Sequence, residues 1–99
     1  MRVDFEAELW LWESRSDSWT FVSLPADESE EIKELVGGLR RGFGSVRVRV
    51  TIGATTWRTS IFPDAKRGAY VLPVKRDVRR SEALGVGDRA AVTVELIDI

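Results

Sequence analysis

The stretch SVRVRVTIGATTWRTSIF, residues 45–62, decides the fold. Val46, Val48, Val50 and Ile52 alternate with Arg47, Arg49 and Thr51, a period of two that predicts a strand with one buried and one solvated face. Gly53-Ala54 suits a two-residue hairpin turn with glycine first, and a second strand follows over Thr55–Phe62. That turn sets Thr51 opposite Thr56, Arg49 opposite Arg58 and Arg47 opposite Ser60. On the reverse face Val50 meets Trp57, Val48 meets Thr59 and Val46 meets Ile61. A slip by one residue would turn the valines to solvent, so the pattern supports this register and places Trp57 in the core. It also puts Arg49 directly beside Arg58. Like charges facing each other across strands destabilise by up to ~1 kcal/mol, so a compensating anion is expected. Glu6 and Glu8 on the first strand, or Glu95 on the last, could supply it; so could a bound phosphate.

Working outward, FEAELWLW (Phe5–Trp12) alternates, with Phe5, Ala7, Leu9 and Leu11 on one face and Glu6, Glu8, Trp10 and Trp12 on the other. ESRSDS is a turn, and Trp19–Leu24 is a second strand that Pro25 ends. A helix is expected next, with Asp27 as N-cap, Glu30 completing a capping-box pattern, and Ile32, Leu35, Val36 and Leu39 as its buried stripe. Gly42 is its stop, and GFGS (Gly42–Ser45) is a connector. After the hairpin come a loop at Pro63–Gly68, a short strand at Tyr70–Leu72, and a short helix within VKRDVRRSEAL that turns Val74, Val78 and Leu84 inward. GVGD turns the chain into a final strand, Arg89–Leu96. The pattern is one domain, 1–99, mostly β: a six-stranded antiparallel barrel capped by one α-helix, with a short second helix.

Composition narrows the chemistry. The chain has no Cys and no His, so disulfides, thiolate metal sites and Ser-His-Asp hydrolysis are excluded. Ser60 has no imidazole to activate it, and Glu6 and Glu8 lack a partner motif, so no catalytic residue and no cofactor are expected. No leader segment and no apolar run of spanning length is visible, so a cytoplasmic protein without membrane contact is expected. The net charge of −1 hides segregation. Residues 1–39 hold three basic and ten acidic side chains, residues 40–80 eleven and two, and residues 81–99 one and four. Such asymmetry marks an anion-binding surface or strands paired by opposite charge. The candidates are Arg47, Arg49 and Arg58 on the hairpin, and Lys75, Arg76 and Arg79, with Arg80, on the short helix; Lys66 and Arg67 could join them. Trp10, Trp12, Trp19 and Trp57 could form a stacking platform under bases or sugars; Trp57 faces Val50 and belongs to the core, which leaves Trp10 and Trp12 as the platform candidates. Asn and Gln are absent, so nucleic-acid binding would be driven by the backbone or by Arg at guanine.

The sequence also resembles a prokaryotic family known only as a domain of unknown function. The resemblance rests on Glu8–Trp10, on W-x-F-V-x-L-P at Trp19–Pro25, and on W-x-T-S-I-F-P at Trp57–Pro63. It continues through Leu72-Pro73-Val74-Lys75, Val78-Arg79 and Gly87-Asp88, and so spans nearly the whole chain. It implies a capped β-barrel related to the double-split barrels of AbrB- and MazE-like regulators. The family also occurs joined to a YdeI/OmpD-associated, bacteriocin-protection type domain; no such second domain is expected within residues 1–99. No catalytic residue is implied. The expectation is a non-enzymatic binding domain, monomeric or weakly homodimeric, for a small anionic ligand or a protein partner. The alternative is an AbrB-like nucleic-acid-binding regulator using the Arg and Lys of residues 40–80.

Overall fold

A computed structural model of the chain describes residues 1–37 and 44–97. Nine elements follow in order: β1 (Arg2–Glu8), β2 (Trp10–Glu13), β3 (Ser18–Ser23), α1 (Ala26–Val36), β4 (Val46–Ile52), β5 (Thr55–Asp64), β6 (Ala69–Pro73), α2 (Arg76–Ser81) and β7 (Arg89–Leu96). The β4–β5 hairpin has the register its alternation demands, Arg49 beside Arg58 and Val50 beside Trp57. Gly53 takes φ 57° at the first turn position, a conformation that costs glycine little. Val46, Val48, Val50 and Ile52 are all buried, and Trp57 packs half-buried against them.

The strands form one antiparallel sheet in the order β1-β7-β4-β5-β6-β3-β2, curled into a half-barrel. The expected class therefore holds, but with seven strands instead of six. The difference lies in Phe5–Trp12, which is two strands. β1 pairs with β7 and β2 pairs with β3, at opposite ends of the sheet. Between them Leu9 is fully buried; its N–H donates to the Asp88 carbonyl at 2.9 Å and its carbonyl accepts from the Gly87 N–H at 2.8 Å. Those two bonds satisfy the backbone where the strand leaves one partner for another. Leu11 shares a face with Leu9 in the alternation but is exposed, because β2 is an edge strand beyond the core's cover.

The interior is built from the inner faces of every strand but β2, and from Leu9 at the joint: Val3, Leu9, Val22, Ile61, Leu72, Val92, Val94 and Leu96 join the β4 valines. Each such side chain contributes about 1.5–3 kcal/mol on burial. Helix α1 packs on β6 through Ile32 and Val36. It starts earlier than the Asp27 cap would place it. Pro25 occupies the N-cap position and no side chain caps the helix. Leu35 is exposed, so the buried stripe is narrower than its spacing suggests; Leu39 and Gly42 lie outside the described residues. Val78 of helix α2 and Val74 just before it lie in the core, with Leu84 half-buried against it. Among the described residues no helix is long and apolar enough to cross a membrane.

Candidate binding site

Strand β3 builds the site by alternation. Thr20 and Val22 are buried, so Trp19, Phe21 and Ser23 point to the opposite face. The β2–β3 register sets Trp10 beside Phe21 and Trp12 beside Trp19. The rings follow: Trp10 and Phe21 have centroids 5.2 Å apart, and Trp19 stacks on Phe21 at 6.3 Å. The Trp10 indole N–H donates to Ser23 Oγ at 3.0 Å, which fixes the ring. On the other side β6 pairs Pro73 with Phe21 and Val71 with Phe62. These side chains enclose a groove of about 570 Å³ on the outer face of the sheet, with Asp64 and Lys66 also on its walls. Trp12, Trp19 and Phe62 remain 45%, 50% and 42% exposed, so ring faces are open to a ligand.

The β5–β6 loop closes one side. Asp64 Oδ1 accepts from the N–H groups of Lys66 and Arg67 at 3.1 and 3.4 Å. Asp64 also pairs with Arg67 Nε at 3.3 Å, and the Arg67 guanidinium lies 3.6 Å from the centre of the Trp10 ring. A cation over an exposed indole contributes about 0.5–1 kcal/mol. Of the two expected platform residues, Trp10 is thus a wall with one face taken, whereas Trp12 offers an open surface.

A second pocket, about 270 Å³, adjoins the first and shares Trp19 and Pro73 with it. Lys75, Arg76 and Arg79 line it, together with Asp17. Its geometry comes from α2: Val74 and Val78 anchor the helix in the core, and the Val74 N–H donates to the Thr20 carbonyl at 2.9 Å, which ties the segment to β3. Arg79 Nε donates to the Val74 carbonyl at 3.0 Å, holding that side chain in place. The structure therefore brings one expected basic group to the edge of an aromatic groove.

The hairpin arginines lie elsewhere, on the outer face of β1, β7, β4 and β5. Arg49 meets Glu95 of β7 at 3.9 Å, the carboxylate that relieves its pairing with Arg58. Arg47 Nη1 donates to Ser60 Oγ at 3.4 Å. Glu6 turns to Arg89 at 3.7 Å instead of to the hairpin. These are exposed contacts worth about 0.2–1 kcal/mol each, an ordinary solvated charge ladder. Among the described residues no group of three or more acidic side chains is placed to hold a metal ion.

Sequence reasoning named Trp19 among four tryptophans that could stack with a ligand, but passed over Phe21 and Phe62 as site residues. In SWTFVS the alternation puts both β3 rings on one face, and the burial of Thr20 and Val22 makes that the outer one. Trp10, Trp19, Phe21, Phe62, Pro63 and Pro73, which line the groove, are all among the residues that carried the family resemblance. A family model described as a domain of unknown function (DUF1905) matches residues 5–94. No curated protein matches the chain.

Proposed function

The chain belongs to the DUF1905 family, and because that membership brings no activity with it, we propose from the site itself a non-enzymatic binding domain. Its ligand has a flat aromatic or sugar-like part that lies in the groove and a negative charge that reaches the basic pocket. One observation carries this reading: the aromatic groove and the pocket of Lys75, Arg76 and Arg79 are neighbours with two wall residues in common, Trp19 and Pro73. A concave, largely apolar site with a few convergent polar groups is the usual form of a small-ligand site. The hairpin arginines favour this less, since Arg49 already has a carboxylate within reach.

Tryptophan fluorescence tests it, because the ring at the junction reports directly. Titration with nucleoside monophosphates and aromatic carboxylates should quench emission with at least one of them. Trp19→Ala should weaken that binding about tenfold or more, since one ring–ligand stack is worth about 1–3 kcal/mol. A panel with no quenching, or quenching that Trp19→Ala leaves unchanged, refutes the site.

A further inference from the structure

We infer that the groove and pocket together take a short single strand of nucleic acid, read through ring stacking and phosphate charge and not through base edges. This rests on the groove being the binding site, and names what lies in it. The open aromatic faces sit on different strands: Trp12 on β2, Trp19 on β3 and Phe62 on β5. In the sheet order β5-β6-β3-β2, three strand spacings separate the outer two. At about 4.8 Å each, the platforms span roughly 14 Å. That is several times the 3.4 Å that one stacked nucleotide occupies along a strand, so one base leaves rings uncovered and successive bases fill them. Stacked aromatics on the face of a sheet accept unpaired bases, whose ring faces a duplex keeps inside.

Charge supplies the second half. Lys75, Arg76 and Arg79 line the pocket that begins where Trp19 ends, so a backbone leaving the groove there meets cations. Asp17 on the same pocket and Asp64 on the groove keep the positive zone short. With no Asn or Gln anywhere in the chain, the amide side chains that read adenine edges are missing, and binding is tolerant of sequence.

The intact chain is titrated by tryptophan fluorescence with a short oligothymidylate, thymidine monophosphate and a mixed-sequence duplex at low salt. The oligomer is expected to bind at least about tenfold tighter than the monomer, each further stack adding roughly 5-fold or more. Its affinity should fall with salt at a slope near −2 for about three phosphate contacts. Trp19→Ala, and separately Lys75→Ala with Arg76→Ala, should each weaken it about tenfold; the two basic positions are exposed, so that variant keeps its fold. Equal affinity for monomer and oligomer overturns the inference and leaves the groove as a nucleotide-sized site. Equal affinity for the duplex overturns it as well. If thymidylates of neither length bind while an aromatic carboxylate does, the strand is excluded and the groove stands. If nothing quenches, both fail.

Discussion

Gly53 opens the β4–β5 turn at φ 57°, and a Cβ added there would run into the Glu82 carboxylate. That carboxylate accepts a hydrogen bond from the Thr55 hydroxyl at 2.6 Å, which swinging aside would break. Gly53→Ala should therefore cost more than about 1 kcal/mol in denaturant unfolding. In a Glu82→Ala background the same change should cost less, with the remainder due to the positive φ; an unchanged cost would clear Glu82 as the obstacle. Asp4 is a second informative residue. The Thr93 hydroxyl, donating at 2.6 Å, lowers its pKa below the ordinary aspartate value; desolvation opposes this, and Arg2 at 3.3 Å adds to the lowering. A depressed folded-state pKa stabilises above the unfolded value, and that contribution is lost as pH falls through the folded one, here below about pH 4. Thr93→Val should move the Asp4 titration, followed by carboxyl NMR, to higher pH.

Helix α1 meets the sheet through a polar contact as well as an apolar one. Ser29 is buried, and its Oγ accepts from the Tyr70 backbone N–H of β6 at 3.0 Å. Ser29→Ala withdraws that acceptor, and the expected loss is about 1–3 kcal/mol, with faster exchange of the Tyr70 amide. Nothing local in the sequence announces this bond, since it joins residues 41 positions apart. The β4–β5 hairpin was legible for the opposite reason: a two-residue turn and an unbroken valine alternation fix its register from neighbours alone. The same alternation hid the break at Leu9. The chain changes partners there without changing parity, so Leu9 stays inward and Trp10 and Trp12 stay outward across both strands. The Asp27 cap failed because Pro25 already begins the turn with an extended backbone, φ −59° and ψ 147°.

At the scale of the molecule, the candidate site was only half visible. Its basic half and its tryptophans Trp10 and Trp12 could be picked from residue type, but their meeting depends on β2, β3, β5, β6 and α2 arriving together. The joint that allows it is Leu9, the point where one continuous run serves both ends of the sheet. Leu9→Ala should remove about 2–5 kcal/mol, measured by thermal or urea unfolding, because its side chain has no solvent to fall back on. The pairing of β1 with β7 has a further consequence for how the molecule is made. Residues 2–8 must wait for residues 89–96 to leave the ribosome, on the order of 5–20 s at usual elongation rates. Val3 and Phe5 spend that interval without their sheet neighbours, so the apolar face of β1 stays uncovered until β7 has been made.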